Sequence, residues 1–195
     1  MKTGTVLSLN VARAQPVSIN GRKVMTAIGK RAVEGERLVL PLGIEGDEQA
    51  DLTVHGGLSK AVYLYPAEHY PFWRTVRAQA QVARWDEDLA HGSLGENLTV
   101  RGVVERDLWV GDVLRFANCE LAVSEPRFPC FKFVAAMGFK HADKLMIESE
   151  WCGAYLAVRV PGTIAPGQAF TLVPGPREVG IAELFRARMR RAAAV

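Results

Sequence analysis

Cys130 is the residue best placed in the sequence to act as a nucleophile or as a soft metal ligand. Pro126 and Pro129 restrict the backbone just before it, so we predict a stiff loop that presents the thiol. Arg127 and Lys132 lie nearby, and cations stabilise the thiolate, which is the reactive and metal-binding form of cysteine. An inert buried cysteine is the alternative, because burial is the commonest fate of a free cysteine.

The sequence positions of the other two cysteines indicate side chains that pack in the core and are not reactive. Cys119 shares strand parity with Leu121 and Val123, which places it in a predicted core, and Cys152 lies at the entrance to a predicted strand. The spacing of the three cysteines matches no zinc or iron–sulfur pattern, and an odd number at wide spacing makes no disulfide framework. The sequence therefore indicates no internal metal cluster.

A second candidate site is a polar strand that runs into a glycine turn. Asp51 and His55 share one face of this strand, and the chain then turns at Gly56 and Gly57. Two glycines let backbone N–H groups approach an anion closely, and Lys60 adds a cation. Asp and His together also suggest a divalent-metal site, although no third ligand is identifiable. A polar strand face that ends in an ordinary glycine turn is the simpler alternative.

A third candidate is the glycine-spaced polar loop at 91–98, which leads into a strand. Glu96 or Asn97 could orient a ligand there. Structural capping explains the same residues equally well.

Short strands are the main elements that must position these residues. Asn20-Gly21 is the strongest short signal for a hairpin turn. Further strands are predicted at 5–11, 37–40, 52–54, 61–65, 97–100, 113–116, 120–123, 154–160 and 168–173. Predicted helices are one that starts at Pro66 and continues through Tyr70, Trp73 and Val76, one over 139–146 and one over 181–191. The pattern predicts a mainly β fold, namely a closed or partly open β-barrel with a few peripheral α-helices.

Composition narrows the class of protein. The 195 residues fit a single domain, and 49% hydrophobic with 23% charged residues is ordinary globular composition. The net charge of +3 permits acidic ligands, but no stripe of cations and aromatics predicts a nucleic-acid surface. We find no secretion signal or membrane-spanning stretch, so we predict a cytoplasmic protein that binds neither nucleic acid nor membrane. A solvated helix end is the simpler interpretation of Arg186, Arg188, Arg190 and Arg191.

Five motifs follow one another between Gly43 and Cys130. They are Gly43-x-x-Gly46-Asp47-Glu48-Gln49-Ala50-Asp51 running to His55-Gly56-Gly57, Tyr65-Pro66-x-Glu68-His69-Tyr70-x-x-Trp73, Gly95-Glu96-Asn97-Leu98, Val110-Gly111-Asp112 and Pro126-Arg127-x-Pro129-Cys130. Together they resemble the MOSC family, domains related to the C-terminal part of molybdenum-cofactor sulfurase. The resemblance is greatest to the stand-alone bacterial branch associated with resistance to hydroxylaminopurine.

This resemblance implies a MOSC-like, pyruvate-kinase-barrel-like β-barrel domain over 1–177. A short helical tail over 178–195 stands where members of this branch usually have a longer multi-helix extension. The resemblance also implies that Cys130 is a molybdenum ligand or a persulfide carrier, since a soft thiolate suits both roles. Residues implied to lie near the pterin phosphate or the substrate are His55, Gly56, Gly57 and Lys60. Those implied in supporting positions are Asp47, Asp51, Glu96, Asn97 and Arg127.

Two functions are compatible with the resemblance. In the first, the protein uses a molybdenum cofactor (molybdopterin) to reduce N-hydroxylated compounds such as hydroxylamino-purines, with Cys130 as ligand and His55 as proton donor. The chain has no dinucleotide fingerprint or cysteine cluster, so a separate reductase must supply electrons. In the second, Cys130 holds a persulfide or the cofactor for delivery to another enzyme. A degenerate barrel that binds neither is a third possibility, and the oligomeric state is left open.

Overall fold

The computed structural model describes residues 1–50 and 56–193, which are mainly β. The strands are β1 (Lys2–Val11), β2 (Gln15–Ile19), β3 (Arg22–Thr26), β4 (Arg31–Val33), β5 (Arg37–Leu40), β6 (Gly43–Ile44), β7 (Val62–Pro66), β8 (Leu98–Arg101), β9 (Val113–Arg115), β10 (Glu120–Pro126), β11 (Ala154–Val160), β12 (Gly162–Ile164) and β13 (Ala169–Val173). The helices are α1 (Tyr70–Gln79), α2 (Phe131–Met137), α3 (Ala142–Ser149) and α4 (Ile181–Ala193). The strand predicted at 52–54 lies outside the described residues.

Seven of the described strands close into a barrel, which confirms the predicted fold. Their order around the barrel is β13, β9, β10, β11, β7, β8 and β1, and the pairing of β1 with β13 closes the ring. Neighbouring strands are antiparallel except β7 and β8, which are parallel. A parallel pair needs a long crossover, and the chain makes it through residues 67–97, which include α1.

Alternate residues of the barrel strands point inward and form the core. In β10, Leu121 and Val123 are buried while Ala122 between them is partly exposed. The predictions for the two packing cysteines are confirmed, because Cys119 and Cys152 both belong to the buried core.

Two small sheets lie beside the barrel. β2 and β3 form the predicted hairpin, and most of their residues are exposed. Its turn residues Asn20 and Gly21 have φ angles of 51° and 75°, the left-handed values that an Asn-Gly hairpin turn requires. The second small sheet has the order β12, β5, β6.

The helices differ from the prediction in two places. Pro66 ends β7 instead of starting a helix, and α1 begins at Tyr70 with Pro71 in its first turn, where a missing N–H breaks no helical hydrogen bond. α2 was not predicted, since seven residues are too few to show a helical period. The tail helix is confirmed as α4 and buries Ile181 and Phe185 in the common core. In the described chain, no helix has the length and apolar character needed to cross a membrane.

Candidate functional site

A cleft with a volume of about 90 Å³ opens beside Cys130. The predicted site residues that line it are Cys130, Arg127, Lys60, Asp47 and Asn97. Arg127 and Cys130, with Tyr63 and Tyr155, form what we call the Cys130 wall. Asp47 and Asn97, with Lys30, form what we call the Asp47 wall. Both walls border the same space, so the structure brings together segments that are far apart in sequence.

Cys130 lies at the junction between β10 and α2. The predicted loop is therefore short: Pro126 is the last residue of β10, and Cys130 is the N-cap residue of α2. The Cys130 carbonyl accepts a hydrogen bond of 2.9 Å from the Phe133 N–H, which fixes the backbone at the start of the helix. Its side chain is partly exposed to the cleft.

The other two cysteines show what a packed thiol looks like in this fold. Cys119 is 1% exposed and Cys152 is fully buried. Burial, together with the charge of Glu120, raises the pKa of Cys119 to about 11. Burial and the charge of Glu105 raise the pKa of Cys152 well above its ordinary value. Both thiols stay protonated at neutral pH, so they are poor nucleophiles and poor metal ligands.

Arg127 is the buried cation of the Cys130 wall. It is 3% exposed, and its guanidinium carbon lies 5.2 Å from the ring centre of Tyr63 and 4.9 Å from that of Phe133. Burial alone would lower the pKa of Arg127, but interactions with Tyr63, Tyr155 and Cys130 raise it above its ordinary value. The guanidinium is therefore charged. Its Nη1 atom is buried and has no hydrogen-bond partner among the described residues.

Asp47 binds three parts of the chain at once. Its Oδ1 atom accepts hydrogen bonds from the Ala12 N–H (2.8 Å) and from the Lys30 ammonium, and its Oδ2 atom accepts one of 2.9 Å from Asn97. Ala12 and Lys30 stand before and after the β2–β3 hairpin, so one carboxylate anchors both ends of it. Asn97 in turn accepts a 3.0 Å hydrogen bond from the Tyr63 N–H, which joins the Asp47 wall to the Cys130 wall.

Gln49 fixes the chain on the far side of the glycine turn. Its amide nitrogen donates to the carbonyl oxygens of Leu42 (3.0 Å) and Lys60 (3.3 Å), and its oxygen accepts from the Gly57 N–H at 3.2 Å. The Gly57 N–H is thus directed at a side chain of the protein, and Gly56 and Gly57 are absent from the described lining of the cleft. The Lys60 ammonium lies 3.8 Å from Glu125 and 5.8 Å from the Tyr155 ring centre.

Comparison with known proteins agrees with the motifs that surround this cleft. The MOSC domain family matches residues 51–171, which is more than half of the chain. This chain belongs to the MOSC family. The uncharacterized protein YflK of Bacillus subtilis is 37% identical over 185 residues, covering 95% of this chain and 80% of YflK. The crystal structure of YiiM from Geobacillus stearothermophilus superposes with a TM-score of 0.72 at 27% identity, covering 98% of this chain and 91% of that one.

A fungal relative is longer. A protein named "Reductase" from Gibberella moniliformis is 30% identical over 177 residues, which are 90% of this chain and 30% of the fungal protein. The family match, the similarity to YflK and the superposition on YiiM together confirm the predicted MOSC family and its stand-alone bacterial branch.

Of the predicted residues of the MOSC site not yet placed, two lie outside the described residues and one does not line the cleft. Asp51 and His55 lie outside the described residues. Glu96 is fully buried and does not line the cleft: its carboxylate accepts hydrogen bonds from the Gly92 N–H and the Thr99 hydroxyl, both at 2.7 Å, and from the Tyr70 hydroxyl. This arrangement matches the capping alternative for Glu96.

Lys30 is a residue of the MOSC cleft that the sequence did not reveal. Its side chain is 8% exposed and ion-paired with Asp47, and burial lowers the pKa of Lys30 although Asp47 opposes that shift. In the described lining of the cleft, four cationic side chains face two carboxylates, so an anionic ligand is favoured: Lys30, Lys60, Arg127 and Lys132 against Asp47 and Glu48. The described residues contain no group of three or more His, Cys, Asp or Glu side chains that could hold a metal ion.

Proposed function

We propose that this MOSC protein binds a molybdenum cofactor in the cleft, with Cys130 as a thiolate ligand, and reduces N-hydroxylated compounds such as hydroxylamino-purines. The observation that carries the proposal is the buried, charged Arg127, whose Nη1 atom lacks a partner beside a partly exposed cysteine. A buried unsatisfied donor is costly, so its retention favours a ligand with an anionic or strongly polar group at this point.

The donor set of the cleft fits this cofactor. A pterin phosphate needs cations and hydrogen-bond donors, and Arg127, Lys60 and Lys132 provide cations in the cleft. Molybdenum needs few protein ligands when a dithiolene pterin supplies the others, and a soft thiolate from Cys130 suits it. The lack of a metal-binding cluster in the described chain is compatible with such a site.

When bound, the cofactor would supply two-electron transfer coupled to removal of oxygen from the substrate. The protein's own residues would do the rest. Cys130 would tune the metal as a ligand, and Arg127 would hold an anionic oxygen in the low-dielectric wall. His55, which lies outside the described residues, is the predicted proton donor. In the net reaction, the N–O bond of R–NHOH breaks, and two electrons and two protons give R–NH2 and water.

The reaction needs an external source of electrons, and we propose a separate reductase. The cysteines are too few and too far apart for an iron–sulfur cluster. In the fungal relative named "Reductase", the region similar to this chain is 30% of the protein. That name supports the proposal of reductase chemistry.

The molybdenum and pterin content of purified protein tests the proposal. Protein from a cofactor-producing host is compared with Cys130→Ser and with Cys119→Ala, which changes a cysteine outside the cleft. We expect near-stoichiometric metal and pterin in the wild type and in Cys119→Ala, and loss of metal from Cys130→Ser. Reduction of a hydroxylamino-purine by dithionite-reduced methyl viologen should follow the metal content.

Sulfur carriage by Cys130 is the alternative that the same material tests. Wild type without metal or pterin would contradict the proposal. A mass increase of one sulfur atom on Cys130, together with no reduction of the hydroxylamine, would favour the persulfide carrier.

A further inference from the structure

Tyr155 of β11 lies among the charged groups that border the cleft. It pairs with Glu125 of β10 on one side and with Tyr63 of β7 on the other. Its ring centre is 5.4 Å from that of Tyr63 and 5.8 Å from the Lys60 ammonium. The residue is 8% exposed and lines the cleft. Neighbouring strands therefore hold its ring in place while the residue stays in contact with the cleft.

The Tyr155 hydroxyl meets both functional side chains of the Cys130 wall. Arg127 donates a hydrogen bond to its oxygen. Burial raises the pKa of Tyr155, the charge of Arg127 opposes that shift, and the charge of Cys130 adds to it. A phenol is protonated at neutral pH even without these shifts. Because a guanidinium can only donate, the phenol oxygen accepts from Arg127, and the phenol O–H is a donor.

Two tyrosines of the neighbouring strand β7 direct their hydroxyls into the protein instead. Tyr63 donates to the Cys152 carbonyl oxygen at 2.9 Å, and Tyr65 donates to the Trp151 carbonyl oxygen at 3.1 Å. Tyr65 is fully buried and is absent from the described lining of the cleft. These two donors support the fold, whereas the Tyr155 hydroxyl lies beside Arg127 at the cleft.

We infer that the Tyr155 hydroxyl donates a hydrogen bond to the N-hydroxyl oxygen of the substrate, and so selects oxygen-bearing ligands over the amines that they yield. This inference rests on the proposed function and names a residue that binds the reacting oxygen. The hydrogen bond from Arg127 polarises the phenol and makes it a better donor in turn. Negative charge grows on the substrate oxygen as its N–O bond breaks, and a donor held in the wall stabilises that charge.

A packing role is the simpler explanation of Tyr155, and a single atom distinguishes the two. Packing against Tyr63 needs only the ring, which Tyr155→Phe keeps, whereas ligand selection needs the hydroxyl, which it removes. Tyr65→Phe is the matched control, since it makes the same change in a core hydroxyl. That hydroxyl also accepts a 2.6 Å hydrogen bond from the Trp73 indole N–H, so the control should lose stability but not ligand binding.

Ligand binding without an electron donor tests the inference, because it requires no turnover. Calorimetry compares a hydroxylamino-purine with the aminopurine that its reduction yields, so the two ligands differ by one oxygen atom. We expect the wild type and Tyr65→Phe to prefer the hydroxylated ligand. In Tyr155→Phe that preference should fall roughly three- to tenfold, the usual effect of one neutral hydrogen bond. No preference in the wild type, an unchanged preference in Tyr155→Phe, or an equal loss in Tyr65→Phe would each overturn the inference.

Rates with dithionite-reduced methyl viologen separate this inference from the proposed function. In Tyr155→Phe we expect kcat to fall while the midpoint of urea denaturation stays close to that of the wild type, and in Tyr65→Phe we expect the reverse. Inactivity of the wild type and both variants would count against the proposed function, and the binding preference would still decide the role of Tyr155. An active Tyr155→Phe with the wild-type kcat would contradict stabilisation of the leaving oxygen.

Discussion

The two walls of the cleft use their polar groups differently. In the Asp47 wall, both carboxylate oxygens of Asp47 and both amide atoms of Asn97 make hydrogen bonds to the protein. In the Cys130 wall, Nη1 of Arg127 is equally buried but lacks a partner among the described residues. A satisfied network holds elements in place, whereas an unsatisfied donor is retained at a cost in stability. From this difference we assign support of the fold to the Asp47 wall and ligand contact to the Cys130 wall.

The largest effect is expected in the Asp47 wall. Asp47→Asn removes the negative charge and leaves the buried Lys30 ammonium uncompensated, so we expect the free energy of unfolding to fall by about 3–5 kcal/mol. Urea denaturation at neutral pH measures it. Glu48→Gln is the control, since Glu48 makes one exposed hydrogen bond to the Ala14 N–H and should cost less than about 1 kcal/mol. Equal losses of unfolding free energy in the two variants would contradict the structural role of the Asp47 wall.

Arg127→Met should weaken ligand binding strongly and lower the free energy of unfolding little. Removal of the guanidinium should weaken binding of an anionic ligand roughly 10- to 100-fold, since a hydrogen bond to a charged group contributes about 1.5–3 kcal/mol. The free energy of unfolding should change less than in Asp47→Asn, because an apolar side chain also removes a buried donor atom that lacks a partner. Pterin retention during dialysis and calorimetry with inorganic phosphate are the measurements. A variant that binds normally but unfolds easily would assign Arg127 to structural support.

The smallest effect concerns alkaline stability of the Cys130 wall. Burial raises the pKa of Tyr63 well above its ordinary value of 10. Above pH 10 the unfolded tyrosine loses its proton while the folded one keeps it, so the folded state binds more protons and stability falls as pH rises. One such tyrosine contributes about 1.4 kcal/mol per pH unit. Tyr63→Phe should reduce the slope of unfolding free energy against pH by about half of that amount at pH 10 and by nearly all of it at about pH 11. An unchanged slope would show that Tyr63 titrates normally in the fold.

Much of the fold was predictable because its signals are local. The Asn20-Gly21 turn specifies its hairpin through backbone angles that few residue pairs adopt. The alternation in β10 correctly placed Cys119 in the core, since side-chain direction along a strand follows from parity alone. The motif from Pro126 to Cys130 located one wall of the cleft for a similar reason, because its prolines and cations are neighbours in sequence.

The parts that were missed depend on distant contacts. Lys30 belongs to the cleft only because Asp47, 17 residues away, binds its ammonium. One lysine among 24 basic residues gives no local sign of burial. Glu96 posed a related problem: a capping carboxylate and a ligand-binding one have the same sequence context, and only the hydroxyls of Tyr70 and Thr99 distinguish them. The predicted start of α1 at Pro66 was wrong because proline suits the last position of a strand as well as the first of a helix.

The closure of the barrel has a consequence for how the chain folds during synthesis. β1 pairs with β8 along one side, while its first residues pair with β13, so that Lys2 lies opposite Leu172. The first residues of β1 therefore lack a partner on one edge until β13, more than 150 residues later, has been made. Such long-range pairings slow folding, and an unpaired edge can recruit other chains. We expect refolding yield to fall steeply with protein concentration, and nascent chains that stop before β13 to need chaperones.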